Sequence, residues 1–412
     1  MEENIIVGID IGTTKICTLV ARQEADETQT ILGVGIEPSR GMKKGIIVDF
    51  KDATASIAKS IEKAERSSGY EITTALVSLA GSHVSSINSR GVAGITGGVV
   101  SQADIQRALE SAQAVAIPHN REVVHVIQRG FSVDGQDGFN KPLDMHGYRL
   151  EVETHIITAA AASVENIRKC AEATGIKIKQ FVLNPLASAE VVLTETEKQL
   201  GVLVCDIGGG TTDLAIYVDN NVWHTMVIAV AGDYVTSDVA HGLRLSLVQA
   251  EEVKKRYGHA LEHMVGEHEV FQVKTFGTQP QQEELIKRRE LAFIIEARVE
   301  EIFQFVLQEI KRSGYDSLLP AGVVLTGGTS LLPGIDVLAS DVLGMPARVA
   351  QPNNLVGLVD QLYSPSYSTS VGLLKWAQIM TRSQNIVRPK KSIPPLDWWD
   401  WLKGMIKRLL PQ

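Results

Sequence analysis

Two short stretches of this sequence carry the same chemical groups in the same order. Asp10-Ile11-Gly12-Thr13-Thr14-Lys15 and Asp206-Ile207-Gly208-Gly209-Gly210-Thr211-Thr212-Asp213 share Asp-Ile-Gly, a turn of small residues and a Thr pair, at a separation of 196 residues (206 − 10). A nucleoside triphosphate is held by closely approaching backbone N–H groups, hydroxyl donors and a cation, with carboxylates nearby to order the waters around Mg²⁺. Gly12, Gly208, Gly209 and Gly210 let the backbone reach phosphate oxygens, while Thr13, Thr14, Thr211 and Thr212 offer hydroxyls. Lys15 is a partner for the β- and γ-phosphates, and Asp10, Asp206 and Asp213 are the metal-side candidates. A third segment, Leu325-Thr326-Gly327-Gly328-Thr329-Ser330, follows an apolar run, so Gly327, Gly328 and Thr329 can admit the flat face of a base or sugar. One such turn needs no ligand, because Gly supplies positive φ and Thr caps the backbone in many hairpins. Chance gives no reason for two turns to repeat Asp-Ile-Gly and for a Thr-Gly-Gly strand end to join them.

The elements around these turns follow from the apolar pattern. Ile5 to Ala21 reads as strand, turn and strand, and Gly201 to Val218 reads the same way, so two similar halves are expected. Apolar runs such as Val202 to Val204 and Val323 to Leu325, separated by amphipathic stretches, predict strands covered on both faces and an α/β class. Ser86 to Ala159 changes texture: a Gly-rich loop (Gly91 to Gly98), a helix near Gln102 to Ile117 and strands near Glu122 to Val133 and Tyr148 to Ile157 read as a small inserted α+β module. A second stretch, Ser237 to Gly314, is rich in Glu, Lys and Arg and ends in a long helix from about Gln282 to Lys311.

The whole chain has 412 residues, 44% of them hydrophobic, enough for two or three domains with large cores. A formal net charge of −8 excludes a general nucleic-acid-binding surface. Cys17, Cys170 and Cys205 are odd in number and set among apolar neighbours, which predicts buried thiols in a reducing, cytoplasmic compartment. Glu2 and Glu3 lead straight into a strand without the pattern of a signal peptide, and no run of 18 apolar residues predicts a membrane span.

The C-terminal stretch poses a separate problem. Residues 382–394 read as a polar linker and residues 395–412 as an amphipathic helix. At 100° per residue, Trp398, Trp399, Trp401, Leu402, Met405, Ile406, Leu409 and Leu410 share one face. From Arg382 onward seven basic side chains face two acidic ones, a balance of +5 (7 − 2), which leaves −13 (−8 − 5) for the rest. Three clustered Trp residues beside basic charge predict a helix lying in the plane of an anionic membrane surface. The ordinary alternative is docking on the protein's own core.

Taken together, the two turns, Val230-Ala231-Gly232-Asp233-Tyr234-Val235-Thr236-Ser237-Asp238, Val324-Leu325-Thr326-Gly327-Gly328, and Tyr367-Ser368-Thr369-Ser370-Val371-Gly372-Leu373-Leu374 resemble the FtsA family of bacterial cell-division proteins. That family is part of the ATPase superfamily of actin, sugar kinases and DnaK-type chaperones. The resemblance extends over nearly the whole chain and implies an actin-like ATPase fold with ATP and Mg²⁺ as cofactors. It implies that residues 86–159 replace an actin subdomain, that residues 1–85 with 160–200 and 360–381 form the first actin-like subdomain, that residues 201–236 with 315–359 form the second, and that residues 237–314 form a helical-rich one. Glu251 and Lys254 match the Glu-x-x-Lys that meets ribose and base, and Gly232 approaches the phosphates. Where relatives in the superfamily place a water-orienting Glu or Gln, this chain has Asn184, which implies slow hydrolysis at most, so no catalytic residue is assigned.

The implied partners are the FtsZ C-terminal tail, docking in the region of the long helix, further copies of the chain in head-to-tail filaments, later division proteins and anionic membrane lipids. The implied location is the cytoplasmic side of the inner membrane, peripheral, at the division septum. The implied role is to tether FtsZ filaments there and help assemble the septal ring. Two alternatives share the fold: an adaptor of a pilus or secretion platform, and a small-molecule kinase. A DnaK-type chaperone would need a peptide-binding domain after the ATPase part. His259 and His263 lack the His-Glu-x-x-His order of a zinc protease, and Glu296, Arg298, Glu300 and Glu301 are expected to form a solvated helix face. Replacing Trp398 and Leu402 together by Glu is expected to move the protein from the membrane pellet to the soluble fraction. Continued sedimentation with vesicles would contradict the in-plane helix.

Overall fold

The computed structural model describes residues 4–24, 26, 28–276 and 283–386, so the helix expected at 395–412 and the linker from residue 387 lie outside the described residues, while residues 382–386, expected as the start of the linker, continue a helix. Two compact units are present, residues 1–376 and residues 377–412. The first contains the sheets and the site residues described below, and α10 continues from it past residue 376.

It starts with three antiparallel strands, β1 (Ile5–Ile11), β2 (Lys15–Gln23) and β3 (Gln29–Pro38), followed by a small hairpin of β4 (Met42–Lys43) and β5 (Ile46–Ile47). Helix α1 (Phe50–Ser68) begins where the Asp49 side chain accepts the Asp52 N–H and ends at Gly69 in the left-handed region, φ 75°. It crosses to β6 (Thr74–Leu79), which runs parallel to β1.

The inserted module comes next: β7 (Ser85–Gly94), α2 (Gln102–Gln113), β8 (Arg121–Val133), β9 (Gln136–Phe139) and β10 (Arg149–Ala160). Its four strands make one sheet in the order β7-β10-β8-β9, with a core of Ala93, Val100, Ala108, Phe131, Leu150 and Val152. Helix α2 stops four residues before the expected Ile117. Pro118 restricts the residue before it, and Val115 and Ile117 are β-branched, so the last turn does not propagate.

The first half resumes with α3 (Ala161–Ala173), β11 (Lys177–Leu183), α4 (Asn184–Val192) and α5 (Glu195–Leu200), whose Thr194–Glu197 capping box fixes its start. The second half repeats the pattern: β12 (Val202–Ile207), β13 (Thr212–Val218) and β14 (Asn221–Ile228) are antiparallel. Then α6 (Gly232–Gly242), α7 (Leu247–Tyr257), the hairpin of β15 (Val270–Val273) and β16 (Glu284–Lys287), and α8 (Arg288–Ser313) lead to β17 (Val323–Thr326), parallel to β12. After α9 (Ile335–Leu343) come β18 (Ala347–Val349), β19 (Val356–Gly357) and α10 (Ser368–Ile386).

The two sheets have the orders β11-β6-β1-β2-β3-β19 and β14-β13-β12-β17-β18. Apart from the edge strand β19 they are the same arrangement, which is the internal repeat made visible. The long helix starts six residues after the expected Gln282 because residues 284–287 pair with β15 as a strand. Along β12, Val202 and Val204 point into one core with Ile9, Ile57 and Leu186, while Leu203, Cys205 and Ile207 point into another with Phe303 and Leu325. Burial on both faces is why this strand reads as an unbroken apolar run. All three cysteines are buried free thiols.

Helix α10 lies close enough to α4 that a Cβ on Gly372 would come within 1.9 Å of the Ala187 carbonyl oxygen. Gly→Ala inside a helix ordinarily stabilises by about 1 kcal/mol. Here the clash with backbone should reverse the sign and cost about 1–3 kcal/mol, as over-packing does. Thermal unfolding of Gly372→Ala is expected to fall by several degrees, while Gly130→Ala, with open space around it, stays near the parent.

Candidate functional site: facing Gly-Thr turns between two repeated halves

The two turns close with the same bond. The Gly12 N–H donates to the Lys15 carbonyl at 3.0 Å and the Gly208 N–H to the Thr211 carbonyl at 2.9 Å. They also meet across the cleft. A Cβ on Gly209 would stand 2.1 Å from Thr14 Oγ1, and one on Gly210 would stand 2.4 Å from Thr13 Oγ1, so side chains at these two positions are excluded by the opposite turn. The start of α6 joins them: the Gly232 and Asp233 N–H groups donate to the Gly208 and Gly209 carbonyls at 3.1 and 2.7 Å.

The third segment arrives on β17, whose Thr326 lies beside Asp206 in the parallel register. Gly327 has φ 85°, and a Cβ there would stand 2.4 Å from Asp206 Oδ1. Gly328 follows in the same turn. Thr329 Oγ1 donates to the Gly208 carbonyl at 2.7 Å, so the segment is tied to the second turn.

Asp10, Asp206 and Asp213 are all buried. Ser370 donates its hydroxyl to Asp10 at 2.7 Å, Thr369 to Asp206 at 2.9 Å and Thr211 to Asp213 at 2.8 Å. Burial first, then the charge of Asp10, push the Asp206 carboxyl up to about 6 against the relief given by Thr369 and Lys15. Burial and the charge of Asp206 also raise Asp213 well above the carboxylate range. Oδ1 of Asp213 and Oδ1 of Asn184 are buried without a hydrogen-bond partner. Among the described residues no three His, Cys, Asp or Glu side chains form a direct ligand cage. The arrangement therefore fits a cation held through its water shell: unpartnered acceptors and mutually strained carboxylates are what hydrated Mg²⁺ would relieve.

Lys15 donates its ammonium to the Ser366 carbonyl and sits 4.7 Å from the centre of the Tyr367 ring. Glu251 and Lys254, on α7, are joined to α6 behind Gly232. Lys254 donates to the Gly232 carbonyl at 3.1 Å and to Thr236 at 2.7 Å, and pairs with Glu251 at 2.6 Å. Burial pushes the Glu251 carboxyl up, but Lys254, Thr236 and Lys255 outweigh it and hold it at about 2. The long helix is less simply solvated than its charges suggest. Arg298 forks onto Asp238 of α6, and Glu296 accepts the Glu262 N–H. His259 Nδ1 accepts the Leu261 N–H in a local turn.

Thr369 and Ser370 carry site roles that the motifs alone did not assign. Their signal was a Ser-Thr-Ser run, but nothing local says which carboxylates it meets. Asp10 and Asp206 lie 360 and 163 residues away in sequence.

Two repeated sheets with facing Gly-Thr turns and an acidic residue on the strand entering each turn define an actin-like ATPase fold. Solved structures with this architecture include the PilM-PilN type IV pilus biogenesis complex (TM-score 0.63, 17% identity, covering 90% of this chain and 98% of that one) and MreB5 of Spiroplasma citri bound to ADP (TM-score 0.55, 14% identity, covering 92% and 98%). The profile described as Cell division protein FtsA matches residues 203–372, and that described as SHS2 domain inserted in FTSA matches residues 81–158. Proteins called cell division protein FtsA are 44% identical in Pseudomonas aeruginosa (90% of this chain, 89% of the relative), 39% in Bacillus subtilis (94% and 88%) and 36% in Escherichia coli K12 (92% and 91%). The chain belongs to the FtsA family of actin-like cell-division proteins.

The raised Asp206 gives a test of sign. An acid held at about 6 in the fold and 3.8 in the unfolded chain contributes stability that is full below 3.8 and lost as pH rises through about 6. Without nucleotide, Asp206→Asn is therefore expected to melt higher than the parent at pH 7.5, with a gain that shrinks as the pH falls below 6. Equal or lower melting at pH 7.5 would contradict a strained carboxylate.

Proposed function

We propose that this chain binds ATP with Mg²⁺ between its two turns and tethers FtsZ filaments to the cytoplasmic face of the inner membrane, helping to build the septal ring and recruit later division proteins. The observation that carries the reading is identity of 36–44% to cell division protein FtsA over about nine-tenths of the chain. The Trp-rich stretch at 395–412, outside the described residues, supports a peripheral anchor. Among the described residues no helix is long and apolar enough to cross a membrane.

In this reading the backbone of Gly12 and of Gly208 to Gly210 cradles the phosphates, with Thr13 and Thr14 as hydroxyl donors, while Thr211 gives its hydroxyl to Asp213. Asp10, Asp206 and Asp213 would hold the waters of Mg²⁺, which would supply charge neutralisation on the phosphates. Glu251 and Lys254 brace Gly232 and stand toward the ribose side. The Asn184 amide oxygen is a weak acceptor for an attacking water, so turnover is slow and ATP works as a conformational cofactor for head-to-tail filaments in which the inserted module takes part.

The test is recruitment of FtsZ to anionic vesicles by the full chain with ATP, beside a version ending before Pro394. Recruitment by the full chain that is lost on truncation is the expected result. Vesicle binding without FtsZ would move the role toward a pilus or secretion platform, and failure to bind vesicles would return the last helix to ordinary core packing.

A further inference from the structure

The hairpin of β4 and β5 turns through two residues, Lys44 at φ 52° and Gly45 at φ 74°. Such a turn favours Asn, Asp or Gly at its first position, because a long side chain in the left-handed region is strained. Here the chain places a lysine there. Strain of this kind persists where the surrounding structure enforces it, and it concentrates at functional sites.

The tip of the hairpin touches both turns. The Gly45 N–H donates to Thr13 Oγ1 at 3.2 Å, and Lys44 Cα lies 3.0 Å from where a Cβ on Gly210 would stand. A Cβ on Gly45 would come within 2.5 Å of the Ala80 carbonyl, so the tip is wedged in place from behind. The Lys44 ammonium crosses to the second half, where it donates to the Tyr234 hydroxyl and lies 4.7 Å from the centre of that ring. Tyr234 follows Asp233, whose N–H is bonded to Gly209.

Lys254 is neutralised by Glu251, whereas among the described residues Lys44 has no carboxylate partner and rests on a phenol alone. An ammonium parked on a neutral group, beside two phosphate-type turns, retains its full charge for an anion.

We propose that Lys44 is the group that distinguishes a nucleoside triphosphate from a diphosphate, moving from Tyr234 to the terminal phosphate when ATP occupies the cleft. The proposal rests on the nucleotide reading above and deepens it. Because the hairpin belongs to the first half and Tyr234 to the second, the same movement exchanges a link between the halves for a link through the phosphate.

The test measures the affinities of the full chain for fluorescent ATP and ADP analogues with Mg²⁺. Lys44→Gly keeps the left-handed turn and relieves its strain, so it should melt no lower than the parent. It is expected to weaken ATP binding about tenfold, the order of one charge-assisted hydrogen bond, while leaving ADP binding within about twofold. Lys44→Arg should recover most of the preference, and Tyr234→Phe, which frees the ammonium, should keep or raise it. Equal losses for both nucleotides, or no change in either, would overturn the assignment of Lys44 while the cleft remains a nucleotide site. Binding of neither analogue by the unsubstituted chain would overturn the nucleotide reading, and this proposal with it.

Discussion

Thr369 and Ser370 are neighbours in the first turn of α10, and each gives its hydroxyl to a buried carboxylate from a different half. This pair of bonds is the constraint around which the cleft is built. Removing a carboxylate from water is costly unless donors replace the water, and two carboxylates near one another add repulsion to that cost. Neutral hydroxyls replace the water only in part. The result is a site whose charges are held in place but not compensated, with Asp206 pushed upward and one oxygen of Asp213 without a partner. A cation arriving with phosphates would complete it. The glycines serve the same end, since Gly327 leaves room for the Asp206 carboxylate and Gly209 and Gly210 let the opposite turn come close.

Much of this was legible in the sequence because it is local. Asp-Ile-Gly followed by a Thr pair is a strand, a turn and the start of a strand, and its repetition announced the matching sheets. The inserted module showed itself through its Gly-rich loop and alternating strands. What was not legible depends on distance. Nothing near Ser370 points to Asp10, and nothing near Lys44 points to Tyr234, 190 residues on. The start of α8 was misplaced for a related reason: residues 284–287 have no strong strand signal by themselves, and pairing with β15 decides their conformation. Glu251 and Lys254 came from the resemblance to the superfamily's Glu-x-x-Lys, but only the fold shows that they are tied to α6 at Thr236 and Gly232.

The inserted module joins the halves in a second way. It leaves the first half between β6 and α3, yet its strands meet β14 of the second half. Ser86 donates to the Thr225 carbonyl at 2.9 Å, and His155 links Asn88 at 2.7 Å to the Thr225 hydroxyl at 2.9 Å. The Arg129 guanidinium lies 4.1 Å from the centre of the Trp223 ring. Burial first, helped by the nearby charges of His224 and Arg129, lowers His155 to about 3, so the imidazole is neutral at any physiological pH. With the Asn88 amide oxygen accepting from Nδ1–H, the bare Nε2 of the neutral ring accepts the Thr225 hydroxyl.

These two connections differ in what they permit. The bonds from α10 end on carboxylates whose charge a bound cation would change, so their strength is coupled to what occupies the cleft. The hydrogen bonds named along the seam between the module and β14 run among Ser86, Asn88, His155 and Thr225, none of which bonds to the cleft carboxylates. In a fold whose two halves are repeats, it is the pieces added to the repeat, α10 and the inserted module, that supply these links between the two sides.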